Sequence, residues 1–377
     1  MNFDLTEERQ MLQDGLRRYL RETVTPELLA GATESEAGHS GPLWNGLAEM
    51  GVIGALFSEE DGGFGGCGFD LSLVFEEMGR AGVFEPLLET GVLAGGLIAE
   101  LGTEAQKALI EDIIAGTVKL ALAHSEPGSR YDLERVQTTA QPGAGGYVLN
   151  GQKAVVLSAP SADHFVVSAR TGGDGADEDG ISLLLVPAGA EGLTLRAYPM
   201  NGGGRAAEMT LENVTLPQDA LLGTPGAAFP AIERAAARAT AAVSAEALGL
   251  MESIRALTTS YLQTRQQFGR PIGKFQALQH RMADMLIEIE QARSAVINLA
   301  GHLDADRAER ERHVSATKNL IGRVARLVVE ESIQMHGGIG MTQEYELAHL
   351  AKRLTMVDHK FGDADYHLER FIRLAAA

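Results

Sequence analysis

From Pro230 to the C-terminus the sequence places apolar residues at helical spacing with hardly a break, and this leaves few folds open. Candidate helices lie near 230–263, 276–303, 310–335, 343–358 and 364–375, the second and third long and strongly patterned. Helices with one apolar face bury it by packing on one another, so this stretch reads as a helical bundle.

The N-terminal stretch is helical too. Thr6 is a candidate N-cap with Glu7 and Glu8 in the first turn, and Met11, Leu12, Leu16 and Leu20 form an apolar stripe. A short helix is expected around Trp44 to Met50. The segment from Phe57 to Asp70 holds five glycines and marks a loop; no Lys-Ser/Thr pair follows it, so it is not a phosphate-binding P-loop. Helices then fill Leu71 to about Gly116, interrupted at Pro86.

Between these helical regions the texture changes. Short β-branched or alternating runs appear at 118–124, 147–149, 153–157, 164–169, 181–186, 193–197 and 208–214, punctuated by Gly, Pro, Asp and Asn. They predict a central antiparallel β-domain, with Asn150-Gly151 as its clearest hairpin turn. The expected class is α+β, with an N-terminal all-α domain over 1–117, a middle β-domain over 118–226 and a C-terminal four-helix bundle over 227–377. The acidic, glycine-rich Thr171–Gly180 reads as an exposed turn, because its ligand spacing does not match a calcium hand.

Composition removes several functions. A net charge of −19 argues against a nucleic-acid partner, which needs a basic face. The single cysteine, Cys67, excludes an internal disulfide and reads as a small buried hydrophobe, and the clustered Cys/His spacing of a zinc site is absent, so no metal is expected. The acidic start (Asp4, Glu7, Glu8) does not read as a signal peptide, and no long uninterrupted apolar run suggests a membrane span. A cytoplasmic setting is the expectation.

Two separated stretches carry the chemistry. Thr264–Met285 holds Arg265, Gln267 and Phe268 before a Gly269-Arg270-Pro271 turn, then Phe275-Gln276 opening a helix; read alone it is a helix-loop-helix corner with Phe268 plugging the core. Downstream, Gln334 precedes Gly337, Gly338 and Gly340 at the end of another helix, where glycines let a backbone approach a ligand and offer amides to anionic oxygens. In this order and at this separation the pair resembles the acyl-CoA dehydrogenase family of flavoproteins, and the resemblance extends over nearly the whole chain. It implies that Arg265, Gln267, Phe268, Gln276, Gln334, Gly337 and Gly338 reach across a subunit interface to the adenine dinucleotide half of FAD. It also implies assembly through the C-terminal bundles into dimers or tetramers, as a homo-oligomer or as a heterotetramer with a larger homologous subunit.

The middle segment Leu122-Ala123-His124-Ser125-Glu126-Pro127-Gly128 is similar to the family's Thr-Glu-Pro-Gly stretch at the flavin ring, which implies cofactor contacts from Leu122, His124, Ser125 and Gly128. Two departures stand out. The usual Ala-Gly-Ser-Asp continuation is Ser129-Arg130-Tyr131-Asp132, and the family's Trp-Ile-Thr has become Val155-Val156-Leu157.

The reaction that the resemblance implies needs a carboxylate to remove a proton α to a thioester. Both familiar positions for it are empty. The C-terminal one is Phe361, which puts Asp363 where the family hydrogen-bonds flavin, and the other is Ala239. Glu246 follows Ala239 by two helical turns, on nearly the same face, and is the candidate base. Among small and apolar neighbours its carboxylate is either desolvated with a raised pKa or turned to water. Asp363, Asp365 and His367 are the runner-up acid–base groups, with capping of the last helix as the structural alternative.

Phe361–His367, the Ala245–Gly249 helix and the Gln-x-His-Gly-Gly motif together resemble small subunits of pimeloyl-CoA and steroid side-chain acyl-CoA dehydrogenases. The implied activity is FAD-dependent α,β-dehydrogenation of an acyl-CoA to a trans-2-enoyl-CoA, with an electron-transfer flavoprotein as acceptor. Alternatives are a half-site subunit of a heterotetramer with a larger homologous chain, or an oxidase that uses O2. Arg238 stands near Thr240, which occupies the place of the family's CoA-binding arginine.

Overall fold

A computed structural model describes residues 5–143 and 145–376; Asp4 of the acidic start lies outside the described residues. The chain opens with α1 (Glu7–Thr23), α2 (Pro26–Glu34), α3 (Gly41–Glu49) and α4 (Gly68–Arg80). A π-helical turn, Leu88–Gly95, leads into α5 (Gly96–Leu101), α6 (Glu104–Lys107) and α7 (Leu109–Ile114). The strands are β1 (Leu120–Ala123), β2 (Thr139–Gly143), β3 (Gly146–Leu157), β4 (His164–Arg170), β5 (Ile181–Pro187), β6 (Leu193–Pro199), β7 (Arg205–Pro217) and β8 (Leu221–Leu222). Then follow α8 (Phe229–Thr264), the short strands β9 (Gln266–Gln267) and β10 (Arg270–Pro271), α9 (Gln276–Ala300), α10 (Arg307–His336), α11 (Glu346–Asp358) and α12 (Ala364–Ala376).

Compact packing cuts across this order. One unit gathers the chain up to Pro26, Cys67–Val83 and everything from Thr240; the other gathers Glu27–Gly66 and Phe84–Ala239. Helices α1 and α4 therefore pack with the C-terminal helices, while α2, α3 and α5–α7 pack with the sheet.

In the first unit, Thr6 caps α1 as expected by accepting from the Arg9 amide (3.3 Å), and Leu16 and Leu20 are buried; Met11, expected in the stripe, is 72% exposed. The glycine-rich loop ends at Cys67, because Gly68–Asp70 already form the first turn of α4. A Cβ on Gly68 would meet the Ala300 carbonyl oxygen at 2.2 Å, so that glycine serves close approach of α4 to α9 rather than a bend. Cys67 is only half-buried, with the Arg9 guanidinium 2.9 Å from its sulfur. Helix α4 also lies on α8, where Gly79 faces the Glu246 backbone carbonyl and Gly249 faces that of Glu76. At the centre of the C-terminal domain α10 packs against α9, α11 and α12. All five helices expected after Pro230 form, with α12 lying on α10.

In the second unit the strand order is β6-β7-β3-β2-β4-β5-β8, with β1 beside β4. Most pairs are antiparallel, but β1–β4 and β2–β4 run parallel, so the sheet is mixed rather than purely antiparallel. Its core includes Leu149, Val156, Phe165, Val167, Leu184 and Val186.

The expected hairpin at Asn150-Gly151 is not there: β3 runs straight through it, with a bulge against β7 between Leu149 and Gly151. Asn150 holds the bulge by accepting from the Asn213 amide (2.8 Å), and Thr138 occupies the space that a side chain on Gly151 would need. The signal for a turn was a signal for a bulge and a close approach. The nearby hairpin joins β3 to β2, which the sequence did not announce, and pairs Gly143 with Gly146.

The Thr171–Gly180 turn closes around Arg170, whose guanidinium donates to the carbonyls of Asp177 (2.7 Å), Asp179 (2.7 Å), Glu134 (2.6 Å) and Val136 (3.1 Å). Among the described residues no helix is long and apolar enough to cross a membrane.

Candidate active site

Arg265 follows α8 directly, and its amide donates to the Tyr261 carbonyl (2.8 Å). Strands β9 and β10 then pair Gln267 with Arg270 around a two-residue turn, Phe268 (φ 53°) and Gly269 (φ 76°). Two positive φ values fit the twist of a tight hairpin, and for a phenylalanine that conformation costs energy. Phe268 is 90% exposed, so it does not plug the core; its ring meets Phe275 edge-on at 6.1 Å. The Arg270 guanidinium lies 4.3 Å over the Phe275 ring.

The glycine motif ends α10. Gly337 takes φ 68° and ψ −148°, and a Cβ on Gly337 or Gly338 would meet nothing within 4 Å. Backbone conformation and open space, not packing, account for the Gly337-Gly338 pair. Immediately before it, the buried His336 ring stacks on Tyr261 with centroids 4.4 Å apart. Tyr261 lies one turn before Arg265, so this contact brings the supports of the two motifs together. Arg265, Gln267, Phe268, Gln276, Gln334, Gly337 and Gly338 are all exposed. Outward donors, an aromatic face and an open glycine cradle suit an extended anionic ligand such as the adenine dinucleotide of FAD.

In the sheet unit, Leu122 is on β1, and His124, Ser125 and Gly128 follow it. Ser125 and Gly128 are exposed, the latter with φ 85° and open space around its Cα. The Ser125 carbonyl accepts from the Ala154 amide (2.8 Å), which fixes the loop to β3. Next to Ala154, at the second irregularity of β3, Val155 is 47% exposed with φ 53°. A β-branched residue in that region is an outlier, and it stands where the family's tryptophan would be.

Beneath this surface lies a buried polar cluster that the sequence reading missed. Lys153 Nζ donates to Glu126 Oε1 (2.7 Å), Ser168 Oγ (2.9 Å) and the His124 carbonyl (3.2 Å), and Glu126 accepts from the amides of Gln137 (2.6 Å) and Thr138 (3.0 Å). Burial pushes Lys153 down to about 8, against the pull of Glu126, and burial with Lys153 nearby pushes His124 down to about 3. His124 is thus a neutral, buried support. Burial would raise the Glu126 pKa, but Lys153 and the hydrogen bonds outweigh it and hold it low.

Glu246 sits on α8, 4% exposed. Its Oε1 lies 2.6 Å from Arg353 Nη2 on α11, and Oε2 is 3.9 Å from Lys360 Nζ. Burial acts to raise its pKa, yet Arg353 and then Lys360 overcome it, so the pKa is lowered. This corrects both expected states: the carboxylate is neither raised nor turned to water, but buried and ion-paired. Arg353 and Lys360 sit among many other charges and carry no sequence signal of their own.

Two of the runner-up groups hold the turn before α12. Asp363 Oδ1 accepts from the Tyr366 amide (2.8 Å) at the start of α12, and Asp365 is exposed. His367 is 2% exposed; its Nε2 donates to the Phe361 carbonyl (2.9 Å), and burial, then Lys318, push its pKa down to about 3. Lys318 on α10 ties the turn to the domain by donating to the carbonyls of Gly362 (2.6 Å) and Asp358 (3.0 Å).

Family models for the acyl-CoA dehydrogenase N-terminal, middle and C-terminal domains match residues 6–117, 121–214 and 229–373. The chain is 29% identical over 378 residues to the probable acyl-CoA dehydrogenase YngJ of Bacillus subtilis (strain 168), covering 99% of this chain and 98% of that one. A variant of the Tcur3481-Tcur3483 steroid ACAD superposes with a TM-score of 0.87 at 34% identity, over 98% of each chain. The ChsE4-ChsE5 complex of Mycobacterium tuberculosis gives a TM-score of 0.89 at 25% identity, over 100% of this chain and 99% of that one. With models for all three domains matched in order along the chain, it belongs to the acyl-CoA dehydrogenase family of FAD-dependent oxidoreductases.

Proposed function

We propose that this chain removes the α-proton of an acyl-CoA thioester with Glu246 and so forms a trans-2-enoyl-CoA. One observation carries the reading: Glu246 is a buried carboxylate held ionised by Arg353. A base must be ionised before substrate arrives, and burial keeps water from competing for the proton. The same pair lowers its basicity, so substrate binding has to weaken the contact with Arg353 for proton capture. Bound flavin supplies the hydride acceptor. Ser125 and Gly128 would meet its ring, and Phe268, Gln334, Gly337 and Gly338 would reach across a subunit interface to hold a dinucleotide half. Small residues along Ala235–Ala247 suit a bulky acyl chain, and an electron-transfer flavoprotein in the cytoplasm takes the electrons. Arg238, offered for CoA, donates one guanidinium nitrogen to the Gly66 carbonyl (2.8 Å).

A second reading draws on the same pair. If Glu246–Arg353 is a structural ion pair, the chain is a half-site subunit of a heteromer with a larger homologue, lending its exposed dinucleotide motifs to the other chain; the similarity to the ChsE4-ChsE5 complex favours keeping this reading.

The deciding experiment is the visible spectrum of the protein expressed alone, before and after anaerobic addition of a panel of acyl-CoAs. Bleaching by one of them, lost in Glu246→Gln with flavin retained, supports the first reading. A colourless protein, or a flavin that none reduces, supports the second. Near-wild-type bleaching in Glu246→Gln overturns the assignment of the base, and peroxide formed in air at the rate of substrate consumption marks an oxidase.

A further inference from the structure

The corner between α9 and α10 gathers three ligating side chains that the flavin chemistry does not use. His302 lies just past the end of α9, and Glu309 and His313 lie on the first turns of α10, four positions apart and so on one face. A ligand atom from each of the three falls within 4.8 Å of the other two. His302 Nε2 is 3.7 Å from Glu309 Oε1, and the two imidazoles lie face to face with centroids 3.9 Å apart at 22°.

The His302 ring is oriented from behind. Its Nδ1 is 2.7 Å from the Asn298 carbonyl, which can only accept, so Nδ1 donates there and Nε2 is the nitrogen that faces Glu309. A backbone carbonyl on the far nitrogen is the usual way a metal-binding histidine is oriented and its basicity raised.

We propose that His302, Glu309 and His313 form a site for a divalent transition-metal ion of the zinc class. Two imidazole nitrogens and one carboxylate oxygen suit Zn2+, Co2+, Ni2+ or Cu2+; Mg2+ and Ca2+ prefer all-oxygen shells. Bonds of about 2.0–2.2 Å need the ligand atoms drawn closer together than they stand. Closing that gap requires the exposed Glu309 side chain to turn and the half-buried His313 ring to unstack from His302. The fourth position is left to water. By joining the end of α9 to the start of α10, the ion staples one corner of the C-terminal helices. The spacing His-x6-Glu-x3-His matches no familiar zinc pattern, so the cluster carries no motif in the sequence.

The test is a Zn2+ titration of the chelator-stripped, flavin-loaded protein against a chromophoric competitor, with Co2+ absorption as a report of ligand geometry. One equivalent is expected to bind, with a tetrahedral-type cobalt spectrum. His302→Ala/His313→Ala should abolish it, and Glu309→Gln should weaken it by about tenfold or more. The flavin spectrum of each variant reports whether the fold is intact. Zinc should also raise the melting temperature of the wild type and not of the double variant. Binding of equal strength in the double variant, or none in the wild type at a ligand excess of about 100 µM, overturns the proposal.

Discussion

The carboxylate of Glu246 and the guanidinium of Arg353 meet at 2.6 Å, each about nine-tenths or more buried, and join α8 to α11. Removing Arg353 alone strands a buried charge, so Arg353→Met should cost about 3–5 kcal/mol of stability, measured by urea unfolding. Glu246→Gln/Arg353→Met should recover most of it, because no charge is left unpaired. The same substitution changes chemistry. Without the guanidinium, burial drives the Glu246 pKa up, so the acid limb of the pH–rate profile should move to higher pH. An unmoved limb with Arg353 gone would remove Glu246 from the base role.

Phe268 and Gly337 separate binding from folding. Phe268 is 90% exposed, so Phe268→Ala should alter unfolding free energy by less than about 0.5 kcal/mol. If its ring meets the dinucleotide, FAD should dissociate roughly thirtyfold more readily, the worth of an aromatic anchor near 2 kcal/mol. Gly337→Ala meets no atom, but φ 68° with ψ −148° is a region for glycine and should cost about 1–3 kcal/mol. Retained flavin fluorescence quenching in Phe268→Ala would show that the ring faces something else.

Periodicity made the helices of the C-terminal half legible, as α8, α9 and α10 lie where apolar spacing put them. It could not show that Phe268 faces outward, because an aromatic in a turn has no period. Asn150-Gly151 misled for a physical reason: the residues that suit a tight turn also suit a bulge, and only the partner strand tells them apart. Glu246 was legible as a lone carboxylate on a small-residue helix. Arg353 and Lys360 were not, since their contact with Glu246 is made only when α11 and the turn after it fold back. The resemblance supplied the candidate flavin motifs, and the structure shows what packs behind them: the Tyr261–His336 stack and the Lys153–Glu126 pair.

Lys318 should govern the order of the turn between α11 and α12. Its ammonium is fully buried and satisfies the carbonyls of Gly362 and Asp358. Lys318→Met fills the space but leaves both acceptors without it, at about 1–3 kcal/mol for each buried group. Amide exchange at residues 359–363 should quicken more than exchange in α9, which the substitution does not touch. Equal quickening in both would mean general destabilisation instead.

Acid stability follows from two buried histidines. His124 and His367 are each held to about 3 by burial first, against an ordinary value of 6.5. The folded pKa is depressed, so below pH 6.5 the unfolded chain takes up protons that the native state refuses. Stability is therefore fully present above pH 6.5 and is lost as the pH falls toward 3. The slope is about 1.4 kcal/mol per pH unit for each ring, or about 2.7 for both. Glu126 and Glu246, also held low, add to the loss only below the ordinary carboxylate range. Urea midpoints between pH 7 and 5 should fall accordingly. In His367→Gln, whose amide can still donate to the Phe361 carbonyl, the slope should drop by about half. An unchanged slope in that variant would mean that the His367 ring protonates in the folded protein.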